Sequence, residues 1–496
     1  MGEGQPMTAL GRGGARAVRR GMTAARGQLV GAVGGPARTK VVLLLACVLA
    51  LASADTATVG ASAVDLRRTL DISNTDIGLL VSVTAVVAAV FSLPFGALAD
   101  RSRRTWILAF ALVTWGVAMF WSATASSFGQ LLLARAGLGA VTAAAGPVVA
   151  SLVGDWFPAA ERGRIYGYIL TGELLGAGAG FAVTGDIAAL SWRAAFIILA
   201  LPAFVLAWLI FRLPEPVRGG QGALAAEPDA RPRPRPRPAS ATPPPAPDPQ
   251  LLAREMGIEP DPELVRRAHA KMTLWQAVRY VLAVRTNVAL IISSACGYYF
   301  MSGVQTFGNE FVSGQYRVSQ VVANLLLLVV GAGAVVGVLV AGPLSDALLR
   351  RGYLSARLTV AMAAAAATVL LFIPALITHS AFAALPYVVI AAAALTAQNP
   401  PIDAARLDIM PPQMWGRAEG VRTFLRTAAQ ALAPVLFGVV SEGIFGGGTN
   451  GLKWTFVVML APLAASAVFL YGARRLYPAD VATAAAASEP VPRPAA

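Results

Sequence analysis

Charged residues and cysteines are scarce in this chain of 496 residues. Only 13% of the residues are charged and 56% are hydrophobic, whereas a soluble domain usually contains about 25% charged residues. This shortage excludes a soluble enzyme, a coiled coil and a disordered regulator. The two cysteines, Cys47 and Cys296, both lie in apolar stretches and argue against a disulfide framework or a metal cluster. No cofactor is expected, and a phosphate-binding loop of the Gly-x-x-x-x-Gly-Lys-Ser/Thr type is missing from the sequence.

Long apolar runs are abundant and predict twelve membrane-spanning helices, because one span needs about 20 mainly apolar residues. In the first half these runs cover 41–63, 76–98, 105–126, 129–153, 163–185 and 193–212. In the second half they cover 286–311, 319–343, 355–377, 381–405, 416–441 and 452–474. The expected fold class is an all-α integral membrane protein, with a six-helix N-terminal bundle at 41–212 and a six-helix C-terminal bundle at 286–475.

Three polar regions flank or separate the two bundles. They are a basic tail at 1–40, a linker at 213–285 and a second tail at 476–496. Residues 231–238 of the linker alternate between Arg and Pro, which predicts an extended, hydrated spacer. The segment Leu274–Val284 predicts a helix on the inner membrane surface, for which a passive anchor is favoured over functional docking.

The formal net charge of +14 is concentrated in alternate loops. Because basic loops stay cytoplasmic, both tails and the linker are predicted on the cytoplasmic side of the cell membrane. The basic residues of the short loops on that side are Arg101, Arg103, Arg104, Arg162, Arg164, Arg350, Arg351 and Arg417. This pattern favours topology over nucleic-acid binding as the reason for the charge. A cleaved export signal after Arg19-Arg20 is an alternative, against which the internal repeat argues.

The internal repeat consists of two motifs that recur at nearly constant spacing. Gly96-Ala97-Leu98-Ala99-Asp100 returns 246 residues later as Gly342-Pro343-Leu344-Ser345-Asp346. A second set returns with an offset of 253, in the pairs Pro147/Pro400, Asp155/Asp408, Pro158/Pro411, Gly163/Gly416, Arg164/Arg417 and Gly167/Gly420. The chain therefore contains two homologous halves. A parallel repeat of this kind places a cavity between the halves, near the bilayer midplane.

The motif that follows the second span resembles a motif of the major facilitator superfamily. This motif is Gly96-x-Leu98-Ala99-Asp100-Arg101-x-Arg103-Arg104, and Arg135-x-x-x-Gly139 resembles a motif of proton-coupled members. Within the superfamily the sequence is similar to the spinster-like branch in three segments, Asp155-Trp156-Phe157-Pro158, Gly176-Ala177-Gly178-Ala179-Gly180 and Pro214-Glu215-Pro216. The resemblance implies a transporter that works by alternating access on a small-molecule substrate.

Ionisable residues inside predicted spans need a partner or a task, because each is expensive to insert into the bilayer. Asp55 and Arg135 reach similar depths at about 1.5 Å per residue, so we expect an ion pair that faces the cavity. This pair either couples transport to protons or statically closes the outer end. Glu173 lies between Gly172 and Gly176 and is predicted to be a second proton site or a ligand for a cationic substrate group.

The repeated Gly and Asp residues at the cytoplasmic ends of two spans predict an inner gate. Asp100 is expected at the amino end of span eleven, and Asp346 at span five near Arg162 or Arg164. Gly96 and Gly342 suit helix ends that must approach closely. The residues assigned to this gate are Gly96, Asp100, Arg101, Arg104, Arg162, Arg164, Gly342, Asp346 and Arg417, and a purely topological role for the first loop's arginines stays open.

Polar residues on spans seven, ten and eleven are candidates for lining the substrate cavity. Span eleven carries a stripe of Glu419, Arg422, Arg426 and Gln430, which Asp403, Arg406 and Asp408 of span ten are expected to oppose. We interpret this stripe as an inner gate or an anion-accepting wall. Span seven offers Tyr298, Tyr299, Gln305, Thr306 and Asn309, which either line a pocket or pack between helices. Asn399-Pro400-Pro401 predicts a broken helix beside the cavity.

The favoured functional interpretation is proton-coupled export of a small amphipathic or hydrophobic molecule by a secondary transporter. An alternative is uptake or facilitated diffusion of an organic anion, with Arg135, Arg422 or Arg426 as the carboxylate clamp. A remote alternative is a membrane sensor without transport activity. The expected partners are the substrate, H⁺ and the lipid bilayer, with no nucleic acid, and the protein is expected to be a monomer.

Overall fold

The computed structural model describes the chain as α-helices joined by short turns. It covers residues 30–31, 33–72, 74–188, 191–219, 248–269, 272–318 and 320–489. Most of the predicted basic tail, the Arg-Pro alternation and the end of the second predicted tail therefore lie outside the described residues.

The described residues of the N-terminal half form eight α-helices. They are α1 (Pro36–Ala61), α2 (Ala63–Leu70), α3 (Asn74–Arg101), α4 (Arg104–Thr124), α5 (Phe128–Thr142), α6 (Ala145–Trp156), α7 (Arg162–Ala188) and α8 (Trp192–Phe211). The predicted span 129–153 is thus two consecutive helices, interrupted at 143–144. Helix α5 begins where the Ser127 side chain accepts a hydrogen bond from the backbone N–H of Gln130, which is a common N-terminal cap.

The linker contributes three short helices, α9 (Pro249–Glu255), α10 (Pro262–His269) and α11 (Leu274–Ala283). Helix α11 matches the predicted surface helix and begins with a capping box between Thr273 and Gln276. Its Trp275 side chain is 72% exposed, whereas Tyr280 and Val281 are buried against the bundle. The helix is therefore amphipathic.

In the C-terminal half, too, the part of the chain that the structure describes forms eight α-helices. They are α12 (Arg285–Tyr316), α13 (Gln320–Arg350), α14 (Ala356–Ile377), α15 (Ala381–Ala397), α16 (Asn399–Asp408), α17 (Trp415–Val439), α18 (Gly448–Met459) and α19 (Ala461–Ala487). The predicted span 381–405 breaks at residue 398, directly before the Asn-Pro-Pro sequence. Helix α19 differs from the sequence prediction. It continues to Ala487, well beyond the predicted end of the C-terminal bundle at residue 475. Its end is buried against the linker, where the backbone N–H of Asp261 donates to Thr483 Oγ1 over 2.9 Å.

Eleven helical segments of the described chain are long and apolar enough to cross a membrane. The remaining predicted span corresponds to α7, whose 27 residues include the charged Glu173 and several glycines. These residues lower its hydropathy, yet α7 packs along α1 inside the bundle. The twelve predicted spans are thus accounted for by eleven strongly apolar segments and α7.

The two halves meet along two helix pairs that the repeat relates to each other. Helix α3 packs against α17, and α13 packs against α7. Within the N-terminal half, small residues bring α1 and α7 together, since a Cβ atom on Gly172, Gly176 or Gly180 would collide with the backbone of α1. This close packing fixes which side of α7 faces the other half.

Candidate transport site

Glycine pairs join the two halves on the face of the molecule that carries Asp100 and Asp346, here called the motif face. A Cβ atom added to Gly96 would lie 2.6 Å from the carbonyl oxygen of Gly416. In the related contact, a Cβ atom on Gly342 would collide with the carbonyl oxygen of Gly163. The halves therefore touch through their backbones at both places, and a larger residue would hold them apart.

Asp100 binds the amino end of α17. Its carboxylate accepts hydrogen bonds from the backbone N–H groups of Gly416 and Arg417 over 2.7 and 3.0 Å, and from Arg417 Nε over 2.9 Å. A helix amino end carries unpaired N–H groups and a positive dipole, so this position suits a carboxylate. The structure thus brings Gly96, Asp100 and Arg417 together.

Asp346 makes the related contact with the amino end of α7. It accepts hydrogen bonds from the backbone N–H groups of Gly163 and Arg164 over 3.2 and 2.7 Å. Its side-chain partner differs from the expected one, because it is Arg357, at 3.5 Å, rather than Arg162 or Arg164. Arg162 instead donates to the carbonyl oxygen of Gly154 over 2.7 Å.

Two buried Arg–Asp pairs lie behind these contacts, one in each half. Arg104 pairs with Asp155 in the N-terminal half, and Arg357 pairs with Asp408 in the C-terminal half. The sequence predicted that Asp408 opposes the stripe on span eleven. In the structure Asp408 instead pairs with Arg357. Sequence reasoning missed Arg357, although the offset of 253 that relates Asp155 to Asp408 also relates Arg104 to Arg357.

The N-terminal pair is extended by Glu215, which lies after α8 and outside the spans. Glu215 accepts hydrogen bonds from Arg104 Nε over 2.8 Å and from the backbone N–H of Thr105 over 3.0 Å. Burial acts to raise the pKa of Glu215, but these hydrogen bonds outweigh it and leave the pKa below its usual value. Arg104 therefore binds within its own half and the segment that follows it. The exposed Arg101 donates to the Met272 carbonyl oxygen over 3.3 Å.

Asp55 and Arg135 form the ion pair that their depths predicted. Two parallel hydrogen bonds of 2.7 and 3.1 Å join the guanidinium to the carboxylate, and both residues are 2% exposed. They line a cavity of about 410 Å³, here called the pair chamber. Gln305, Thr306 and Gln430 line the same chamber from the C-terminal half.

A second cavity of about 200 Å³, here called the arginine chamber, adjoins the first one. The two chambers share the lining residues Ala52, Ala88, Thr142 and Thr427. The polar lining of the arginine chamber includes Tyr166 and Glu173 from α7, Asp403 and Arg406 from α16, and Glu419, Arg422, Thr423 and Arg426 from α17.

Most charges of the arginine chamber belong to one network. Arg422 binds both carboxylate oxygens of Glu419 over 3.0 Å, approaches Asp403 to 2.8 Å and donates to Ser294 Oγ over 2.9 Å. Arg406 contacts Glu419 and lies 3.8 Å from Asp403. The stripe that the sequence predicted is therefore opposed by Asp403 and Arg406, and these four groups largely neutralise one another.

Arg426 differs from the other two arginines of this chamber. Its guanidinium stacks over the Tyr298 ring at 4.4 Å. Among the described residues it forms no ion pair with a carboxylate, and its Nε is buried without a hydrogen-bond partner. Arg426 is thus a cationic group beside a cavity, with hydrogen-bonding capacity to spare.

Some candidate lining residues lie elsewhere. Tyr299, one position from Tyr298, packs in an aromatic cluster of the C-terminal half, and its hydroxyl lies 3.0 Å from Met459 Sδ. This is the packing role that the sequence left open. Asn399 is buried at the helix break, and Asn309 is half-buried further along α12.

Two homologous helical halves around internal polar chambers are an arrangement typical of membrane transporters. The sequence profile described as Major Facilitator Superfamily matches residues 44–434. The chain belongs to this family, with its all-α transporter fold, and is not an enzyme.

Two curated relatives match parts of the chain. The "Probable L-galactonate transporter" of Escherichia coli (strain K12) is 28% identical over 36% of this chain and 41% of its own length. The "Protein spinster" of Drosophila melanogaster is 28% identical over 33% of this chain and 28% of its own length. The matched segments thus span less than half the length of either relative, and the likeness to spinster agrees with the resemblance found in the sequence.

A solved structure supports the fold over most of the chain. The structure of the proton:xylose symporter XylE bound to 6-bromo-6-deoxy-D-glucose aligns with a TM-score of 0.63 and 15% identity. The alignment covers 87% of this chain and 95% of that chain.

Proposed function

We propose that this transporter takes up a small organic anion, which binds in the arginine chamber with its carboxylate on Arg426. One observation carries this proposal. The guanidinium of Arg426 lines the chamber and has no carboxylate partner among the described residues. Arginine binds carboxylates through two parallel hydrogen bonds, so a substrate carboxylate supplies the partner that the fold withholds.

The size and lining of the chamber support a small hydrophilic substrate. Its volume of about 200 Å³ is below the usual range for drug-sized ligands, roughly 300–1,000 Å³. Thr423 and Tyr166 add hydroxyl groups, and the Tyr166 hydroxyl is buried without a hydrogen-bond partner. A sugar acid matches this combination of a carboxylate and hydroxyls, and the relative described as a probable L-galactonate transporter points to the same class.

The proposed cycle is alternating access between the two halves. The hydrogen bonds of Asp100 and Asp346 to the opposite half support a motif face that is closed in this state. The alternation of basic loops supports a cytoplasmic motif face and cytoplasmic termini in the cell membrane. Opening this face requires the glycine contacts to separate, which lets the anion leave on the cytoplasmic side. We also propose coupling to H⁺, for which Asp55, Arg135 and Glu173 are the candidate groups.

The test is transport of labelled L-galactonate by purified protein in liposomes. Replacing Arg426 by Ala removes a charge-assisted hydrogen-bonding partner worth about 1.5–3 kcal/mol. We therefore expect L-galactonate counterflow to fall by roughly 10- to 150-fold, with Arg426→Lys in between. The matched control is Arg475→Ala, an exposed arginine of α19, which should leave counterflow unchanged. Equal counterflow in wild type and Arg426→Ala refutes the assignment.

Export of an amphipathic molecule is the second candidate function, and one observation favours it. An apolar cavity of about 700 Å³ lies between the halves and is lined by residues such as Leu174, Met301, Val304 and Leu328. It touches the pair chamber at Gln305. Energised export of an amphiphile that persists in Arg426→Ala supports this function over anion uptake.

A further inference from the structure

The ionisable groups of the arginine chamber balance in charge. Its described lining carries three carboxylates and three guanidinium groups, which are Glu173, Asp403, Glu419, Arg406, Arg422 and Arg426. With all six ionised, the chamber is neutral before substrate enters. A monovalent anion then adds one uncompensated negative charge to a site enclosed by protein and lipid, where unbalanced charge is strongly unfavourable.

Of the three carboxylates, Glu173 is the one that can change its protonation when the anion adds its charge. Asp403 and Glu419 are both held by Arg422, at 2.8 and 3.0 Å. The Glu173 carboxylate makes no ion pair and no hydrogen bond with any part of the chain that the structure describes. The backbone that carries Glu173 is nevertheless fixed in place, because Gly172 and Gly176 seat α7 directly on the backbone of α1.

We propose that Glu173 takes up one proton whenever the anion occupies the arginine chamber, so that one H⁺ accompanies each monovalent anion. The inference rests on the proposed anion transport. A proton from the solution on the side to which the chamber is open forms an O–H bond with the Glu173 carboxylate. That proton restores the neutrality that the bound anion disturbs. When the anion leaves on the other side, the O–H bond breaks and the proton passes to the solution on that side.

The other groups around Glu173 are unsuited to this role. The charged and titratable residues that face it are Arg406, Arg422, Arg426, Asp403, Glu419, Tyr166 and Tyr298. Arginines stay protonated and tyrosines stay neutral at ordinary pH, while the two acids are held by Arg422. Asp55 is separate as well, because both of its oxygens are engaged by Arg135 in the pair chamber. Its charge is balanced whether or not the arginine chamber is filled.

Binding of L-galactonate at different pH values is the first test. If binding requires one proton on Glu173, the Kd of the wild-type protein rises toward about tenfold per pH unit on the alkaline side. The variant Glu173→Gln keeps the shape of the side chain but carries no charge, so its Kd should be low and independent of pH. The matched control, Glu310→Gln, changes an exposed carboxylate of α12 and should behave like the wild type. A Glu173→Gln variant that keeps the wild-type pH dependence overturns the proposal.

Transport in proteoliposomes provides the second test and separates Glu173 from Asp55. In Glu173→Gln we expect L-galactonate counterflow at equal pH to persist, while accumulation driven by a pH gradient is lost. In Asp55→Asn we expect a lower rate but an unchanged ratio of accumulation to counterflow. The opposite pattern, with coupling lost only in Asp55→Asn, overturns the role of Glu173 and leaves anion transport intact. If wild-type protein neither binds nor exchanges L-galactonate, the proposed function itself fails.

Discussion

The carboxylate of Asp100 is the contact between the halves whose removal can be followed most directly. It accepts three hydrogen bonds from Gly416 and Arg417 across the interface, while the carboxylate itself belongs to α3. The variant Asp100→Asn retains the shape of the side chain but presents an amide N–H₂ group to a backbone N–H donor. It therefore loses at least one hydrogen bond as well as the ion pair with Arg417.

The size of the effect follows from these contacts. A hydrogen bond to a charged group contributes about 1.5–3 kcal/mol, and Arg417 retains only 12% exposure of its side chain, so solvent screens the pair weakly. A loss of about 2 kcal/mol moves the ratio of closed to open motif faces by roughly 30-fold. Fold stability should change much less, because the substitution replaces no residue of the buried apolar clusters.

The measurement is the distance between spin labels on the motif face, placed at the exposed residues Arg103 and Gln413. In wild type we expect a single short distance, and in Asp100→Asn a second, longer population. Asp346→Asn is the symmetry-related counterpart and should act in the same direction. The variant Asp155→Asn breaks a pair within one half, so it should lower the melting temperature without adding a long distance. An unchanged distance distribution in Asp100→Asn refutes the assignment of this residue to the closed gate.

Two further predictions concern stability. Replacing Arg357 by Met leaves Asp408 buried without its main partner, so the free energy of unfolding should fall by about 3–5 kcal/mol. The measurement is the melting temperature of the purified protein. A change below about 1 kcal/mol contradicts a structural role for Arg357. The lowered pKa of Glu215 means that its stabilising contribution is present above the pKa of the unfolded chain, about 4.3, and is lost as the pH falls through the lower folded value. Melting curves should therefore show more acid sensitivity in wild type than in Glu215→Gln.

The parts of the site that the sequence predicted depend on helix geometry and on one recurring motif. Asp55 and Arg135 were matched by their depth in two spans, since rise per residue is fixed in a helix. Asp100 and its partners at α17 were predicted from a motif and from the affinity of helix amino ends for carboxylates. Both expectations need only the order of the spans and their direction, which hydropathy and charge provide.

Other features depended on information that depth and periodicity do not contain. Tyr298 and Tyr299 are neighbours in sequence, but successive side chains on a helix point about 100° apart, so one stacks under Arg426 and the other packs in the aromatic cluster. The extension of α19 past residue 475 depends on burial against the linker helices, which its Ala-rich sequence does not reveal. Arg357 stands in the first turn of an apolar span, and only its offset of 253 from Arg104 distinguishes it from an ordinary basic residue at a span end.

The two helix contacts of the motif face, α7–α13 and α3–α17, lose different interactions when they open. Arg357 donates to the carbonyl oxygen of Ala159, and Asp408 lies 3.6 Å from Arg162, so this arginine and this acid each hold a partner in the opposite half. Among the residues that the structure describes, Arg104 bonds within its own half and to the adjoining segment at 215–216. Separating α7 from α13 therefore takes Arg357 and Asp408 away from these partners, while separating α3 from α17 takes Asp100 away from Arg417 and leaves Arg104 undisturbed. The two contacts should therefore open unequally, which makes the motion of the halves asymmetric.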